Sequence, residues 1–267
     1  MHISNAEQAL KWIRDHRFSL EPDIGSDEGK LCHVHKVKSA CAKRRVTTDM
    51  IGAQGWRLLG QHLAHFTFLC ILDLSDNMIG DEGVIALAPA LCSCHELRTL
   101  CLGGNGVAVE GVRALAQQFD NLAALGALYL HVNRIGPMGA VALGPYLPHL
   151  RFLKELSLRG NSLGAQGARA LAQYLASLGS LQQLSLRENN IGDVGAAALG
   201  PYLAMLTVLQ ILNLRGNNIG DNGLKALALY LSRHTCLATL WLQDNRIGYW
   251  TKLNLSNTSP KIKNLQV

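Results

Sequence analysis

The stretch "LSLRENNIGDVGAAALGPYL", residues 184–203, returns in nearly the same form 28 residues to either side. The leucines that open each unit, Leu69, Leu97, Leu125, Leu153, Leu181, Leu209 and Leu237, are spaced by 28 throughout, and eight residues after each stands an asparagine, from Asn77 to Asn245. A period kept seven times without an insertion marks a stacked-repeat array rather than one globular core.

The unit reads L-x-x-L-x-L-x-x-N-x-I-G-x-x-G-x-x-A-L-A-x-x-L. Leu181, Leu184 and Leu186 open it with the period of a strand that buries one face. Asn189 then turns the chain; its amide both donates and accepts, so a column of such side chains can satisfy turn backbones in adjacent coils. Gly192 and Gly195 are expected to allow a tight bend at low steric cost. Leu199 and Leu203, four apart, lie on one helical face. Each unit is therefore predicted as strand, turn, helix. Parallel strands pack about 4.8 Å apart, whereas helices with their side chains need roughly 10 Å. Both spacings hold only if the array bends, with strands inside and helices outside.

These residues resemble the leucine-rich repeat of the ribonuclease-inhibitor-like subfamily, also found in NOD-like receptors, whose repeats are the most similar, and in the Ran GTPase-activating protein. The resemblance covers about residues 46–248. It implies an α/β right-handed solenoid, a horseshoe with a parallel concave sheet and convex helices. It also implies a non-catalytic function, protein–protein recognition, most often through the concave face. The alternatives it carries are a small-GTPase regulator like the Ran protein and a sensor fragment of a NOD-like receptor. Family members of the first kind commonly end in an acidic tail, whereas here the residues beyond Asp244 carry only bases, and no nucleotide-binding domain accompanies the repeats. Inhibition of a basic ribonuclease resembles the work of a largely acidic face, and this face carries arginines.

A second period of 56 underlies the first. Pro89, Pro145 and Pro201 share a helical slot in alternate units, so alternate helices are expected to kink or to start late. Tyr146, Tyr174, Tyr202 and Tyr230 follow that slot in four successive units. Residues 46–248 divide into one partial unit, six full ones and a truncated one. In the partial unit Trp56, Leu59 and Leu63 are the helix face, while Cys41, Arg44 and Val46 stand where strand leucines belong. Residues 1–45, an amphipathic helix over Ala6–Phe18 followed by a basic loop, are expected to cap the first coil. Residues 249–267 read as an irregular tail, with Leu265 falling 28 after Leu237, as a further coil would require.

The concave face follows from the strand period. At the seventh position of successive units stand Ser75, Gly103, His131, Arg159, Arg187, Arg215 and Gln243. Adjacent arginines about 5 Å apart repel by only about 0.8 kcal/mol in water, and Glu155 and Glu188 are near enough to pair with them. A self-paired, solvated column thus stands against a site for an acidic protein surface. The fifth position adds Tyr129, Asn213 and Trp241, the two aromatics being residue types that carry interface energy when exposed.

Other clusters have plain readings. Cys32, His33, His35 and Cys41 are acceptable zinc ligands in spacing, "CHVHKVKSAC", that matches no usual zinc pattern, and His62 and His65 lack a third ligand, so no metal and no cofactor is expected. Seven cysteines, an odd number in no framework, read as reduced thiols. The net charge of +6 gathers near Lys30–Arg45 and in the tail; without interleaved aromatics it argues against a nucleic-acid platform. With no signal-type apolar run or membrane-length segment, the expected location is the cytoplasm, with the nucleus the alternative.

Overall fold

The computed structural model describes residues 56–57, 59–61, 69–231, 234–249, 251 and 264–266. Each unit from Leu69 onward supplies a three-residue strand: β1 Ile71–Asp73, β2 Thr99–Cys101, β3 Ala127–Tyr129, β4 Glu155–Ser157, β5 Gln183–Ser185, β6 Ile211–Asn213 and β7 Thr239–Trp241. An eighth, β8, is Asn264–Gln266. They form one open parallel sheet in chain order, in which Leu184 faces Leu156 on one side and Leu212 on the other. Between the strands run α1 Gly80–Leu91, α2 Val109–Ala116, α3 Gly136–Leu143, α4 Gly164–Leu175, α5 Gly192–Leu203 and α6 Asp221–Leu231. This is the leucine-rich solenoid expected from the pattern: sheet inside, helices outside, and one continuous core of leucines between them.

The asparagine column does what its chemistry allows. Asn189 is fully buried; its Oδ1 accepts the N–H of Asn161 at 2.9 Å, and its Nδ2 donates to the carbonyls of Leu158 and Leu186 at 2.8 and 3.0 Å. Asn217 repeats the arrangement one coil later. The column thus ties each turn to the turns beside it, where backbone groups would otherwise be buried without partners.

The two glycines of the unit have different reasons. Gly192 has φ +62°, the left-handed region, and its N–H meets the carbonyl of Asn217 at 2.8 Å. Gly195 needs no unusual φ. A Cβ there would lie 2.5 Å from Ile191 Cγ2 and 3.1 Å from Ala165 Cα, so its job is close helix packing, not the bend expected of it.

The proline helices also depart from expectation. None starts late: α1, α3 and α5 all begin at the turn glycine. In α1 and α5 the proline sits two residues before the helix end, where one backbone donor is lost. In α3 the helix stops at Leu143 and Gly144–His149 continues as a 3-10 helix, because Pro148 follows Pro145 within one turn. The 56-residue period has a packing cause as well. A Cβ on Gly144 would lie 2.5 Å from the Tyr174 ring, and one on Gly200 2.6 Å from the Tyr230 ring, so each of these glycines makes room for a tyrosine of the next coil.

At the ends, Trp56 and Leu59 are buried and Trp56 packs on Gly83, as the partial unit required. Leu63, the missing strand leucines, the helix over 6–18, the loop and zinc-type residues that follow it, and His62 and His65 lie outside the described residues. Within the segment read as a tail, β8 pairs with β7 at an offset of 25, placing Leu265 opposite Leu240. Leu265 is therefore a strand leucine and not the opening leucine that a spacing of 28 suggested.

Candidate functional site

Three columns of side chains stand on the inner face of the sheet. Two come from the strands, because Leu184 and its equivalents point into the core and the residues before and after point away. The third comes from the turn entry two residues later, where the ladder continues: Gly160 N–H meets Arg187 O and Glu188 N–H meets Arg215 O, both at 2.8 Å. Arg159, Arg187 and Arg215 are thereby held side by side.

The arginines are paired within the chain. Arg159 Nε donates to Glu188 Oε2 at 3.1 Å, and Arg187 donates to Glu188 Oε1 through Nη2 at 2.6 Å and Nε at 2.9 Å. Arg215 Nε donates to Asp244 Oδ2 at 2.6 Å. One of the two acids expected as partners, Glu155, is elsewhere: it accepts a hydrogen bond from the Tyr129 hydroxyl. Asp244 takes the remaining arginine. Sequence reasoning missed it, although a signal exists, since Asp244 lies 56 residues after Glu188 and in the same place within its unit.

Backbone conformation explains why acids stand there. The residue before each ladder asparagine has positive φ in all seven units, and it alternates between glycine and another residue: Asp76, Gly104, Val132, Gly160, Glu188, Gly216, Asp244. The side chain of the larger residue lies over the glycine of the next coil; a Cβ on Gly216 would be 3.2 Å from Glu188 Cγ. Non-glycine residues carry a steric cost in this region, so Glu188 and Asp244 are held in a strained conformation at φ 58°, where they meet the arginines.

Desolvation pushes the Glu188 carboxyl up, but hydrogen bonds from Arg187 and Arg159, together with their charges, outweigh it and hold the group below the usual carboxylate range. His131 lies over Gly103, where a Cβ would collide with its ring. Burial lowers its pKa; Asp76 and Asp73 oppose the shift and Arg159 adds to it. His131 therefore sits between an acidic start of the face and the paired arginines.

The other expected site residues are placed as follows. Asn213 is buried and its Oδ1 accepts the N–H of Arg215 at 3.0 Å, so it shapes the arginine's turn. Trp241 and Tyr129 are half-buried rather than freely exposed, and with four strand steps between them they are roughly 19 Å apart, two anchors and not one patch. Gln243 donates to Gln266 on β8. The face thus brings together His131, Arg159, Arg187, Glu188 and Arg215, with Tyr129–Glu155 on the N-terminal side and Trp241–Gln243 on the C-terminal side. Nothing in it resembles a nucleophile held by a base, and among the described residues no three His, Cys, Asp or Glu side chains cluster as metal ligands. Cys94 is buried, with Sγ 3.6 Å from the carbonyl of Ala90, while Cys92 is exposed. No helix among the described residues is long and apolar enough to cross a membrane.

Five stretches match the family model of the leucine rich repeat: residues 67–88, 93–116, 149–172, 180–200 and 206–228. The gap between the second and third matches contains α3 and its 3-10 continuation, the unit with the least regular helix. No curated protein matches the chain.

Proposed function

We propose that this chain, a leucine-rich repeat solenoid by its fold and by the five stretches that match the family model, is a non-catalytic recognition module whose inner face binds a protein partner. The observation that supports this reading is the register of the face: polar, charged and aromatic side chains stand in fixed columns on a sheet whose other side is sealed by the leucine core. The groups in contact would be Tyr129, His131, Glu155, Arg159, Arg187, Glu188, Asn213, Arg215, Trp241 and Gln243. An acidic partner surface, the complement the arginine column invites, has to compete with Glu188 and Asp244; a surface of mixed charge meets the ladder without displacing them. Two narrower readings carried by the resemblance, a small-GTPase regulator and the sensor part of a NOD-like receptor, are tested by GTP hydrolysis with small GTPases and by domain context. We place the protein in the cytoplasm, which fractionation checks.

The decisive experiment is a paired capture from cell extract. Arg187→Glu sets a like charge against Glu188 on a side chain that is a quarter exposed. It should abolish retention of the specific partner and leave the melting temperature nearly unchanged. Retention equal to wild type removes the inner face from consideration.

A further inference from the structure

Gly60 stands where Gly144 and Gly200 stand in later coils, three repeats before the first of them. In those coils the glycine receives a ring from the next helix: a Cβ on Gly144 would lie 2.5 Å from the Tyr174 ring, and one on Gly200 2.6 Å from the Tyr230 ring. The backbone around all three glycines is alike. A Cβ on Gly60, Gly144 or Gly200 would lie 3.2, 3.5 or 3.6 Å from the carbonyl oxygen of Ala86, Ala170 or Ala226, the same residue of the next helix each time. At the tyrosine position, however, the helix after Gly60 carries Ala90, whose own Cβ would be 3.6 Å away. The first coil pair has the cradle of a tyrosine ring and an alanine facing it.

An open furrow of about 690 Å³ lies there, between the helical residues 56–57 and 59–61 and α1. Pockets that hold small ligands span roughly 300–1,000 Å³. Gly60, Ala86 and Ala90 line it with little bulk, and Ile85 and Pro89 give it apolar edges, Ile85 being 46% exposed. In the two pairs that hold a ring, the equivalents of Ile85 are Arg169 and Lys225. The pair whose cradle faces alanine thus also has an exposed isoleucine where the others have a cation, so its edge suits an apolar occupant. Arg57 and Glu82 line the furrow too, one of each sign, and together select neither an anion nor a cation.

We propose that this furrow is a second docking site, on the outer surface, for one aromatic side chain of a partner protein, seated over Gly60 as Tyr174 is seated over Gly144. The class of occupant follows from the molecule itself, because the same backbone accepts a flat ring twice further along the array. A ring also brings a large apolar area at low conformational cost. Among the described residues no aromatic side chain of the chain lines the furrow. The sequence before Trp56 has two, Trp12 and Phe18, but the apolar side of the stretch Ala6–Phe18 is Ala6, Leu10 and Ile13 and includes neither.

The test uses the full chain and two capped pentapeptides, one with a central tyrosine between serines and glycines, the other with leucine in its place. Saturation-transfer-difference NMR at millimolar peptide should show saturation of the tyrosine ring protons and little of the leucine methyls. Ala90→Tyr should abolish the signal, because the chain then supplies the ring itself. It should not lower the melting temperature, since the same ring is accepted over Gly144 and Gly200. Ile85→Lys, which copies the edge of the ring-holding pairs at an exposed residue, should weaken the signal severalfold. Arg187→Glu on the inner face should leave it unchanged. Equal saturation of the two peptides, or a signal that survives Ala90→Tyr and Ile85→Lys, overturns the proposal. So does a signal that Arg187→Glu abolishes, which places the peptide on the inner face. A tyrosine signal that appears only after Trp12→Ser and Phe18→Ser overturns it as well, because it gives the furrow to the chain's own N-terminal residues.

Discussion

Replacing Asn189 with alanine removes one rung of the asparagine column, and the partners left behind set the cost. The carbonyls survive the change: Leu158 O keeps Asn161 Nδ2 at 3.0 Å, and Leu186 O keeps Asn217 Nδ2 at 2.8 Å, because each turn carbonyl is shared by two asparagines. The amides do not survive it. Asn161 N–H loses its acceptor at 2.9 Å and Leu163 N–H its longer one at 3.4 Å, both in the buried interior. A buried amide left without an acceptor costs about 1–3 kcal/mol, so one full and one partial loss add to about 2–4 kcal/mol. Asn222→Ala, on the exposed side of α6, serves as control and should stay within about 0.5 kcal/mol of wild type. Asn189→Asp sharpens the argument. It keeps the acceptor oxygen but sets a second oxygen against the carbonyls of Leu158, Leu186 and Arg187 in a fully buried place, so its folded pKa must rise above the unfolded value of about 3.9. A group whose pKa is raised on folding contributes stability below the unfolded pKa and loses it as pH rises towards the folded one. The aspartate variant should therefore approach wild type near pH 3.5 and fall progressively further below it towards pH 7. Urea unfolding followed by circular dichroism at several pH values measures both effects, with the m-value watched for loss of two-state behaviour in a repeat array. If Asn189→Ala costs no more than Asn222→Ala, or if the aspartate deficit is flat with pH, the column is not what joins the coils.

Gly200→Ala should cost about 1–3 kcal/mol by forcing the Tyr230 ring outwards, and Tyr230→Leu in the same chain should recover part of that loss; additive costs in a double-mutant cycle refute the contact. Burial lowers the pKa of His131 on folding, so the unfolded chain binds the extra proton and stability should fall as pH drops below about 6.5. His131→Asn should remove part of that acid sensitivity, read as a smaller shift of the urea midpoint between pH 7 and 5.5; His234, lowered chiefly by burial although its bond to Leu203 O opposes the shift, should retain the rest.

Much of the fold was legible because the repeat reports on one thing at a time. A leucine every second or third residue gives the strand, the asparagine gives the turn, and a fixed spacing of 28 gives the parallel register without any count of distant contacts. What escaped depended on contacts between coils that no single unit displays. Gly195 looks like a turn glycine until Ile191 and Ala165 are found against it. Leu265 looks in phase until the last coil proves three residues shorter than the others. On the inner face the columns themselves were readable, and so was the self-pairing of arginines. Of their partners Glu188 was and Asp244 was not, because Glu155 and Asp244 are sorted by direction. A strand residue four before the seventh-position column faces Tyr129, whereas a left-handed residue at the turn is carried over its neighbour's glycine.

The 28-residue period and the 56-residue period answer to different requirements. Identical coils would satisfy the leucine core and the asparagine column completely, so nothing in either demands alternation. Of three alternations, that of the residue before the asparagine has a steric cause, because an acid or valine there needs glycine in the next coil; Gly144 and Gly200 receive the rings of Tyr174 and Tyr230, although tyrosine itself recurs in all four units. The third has none. Met138, Val141, Val194 and Ala197 face solvent, and their replacement by polar residues would disturb no packed neighbour. The outer ridges therefore repeat every second coil, roughly 20 Å apart, without any interior contact that requires it.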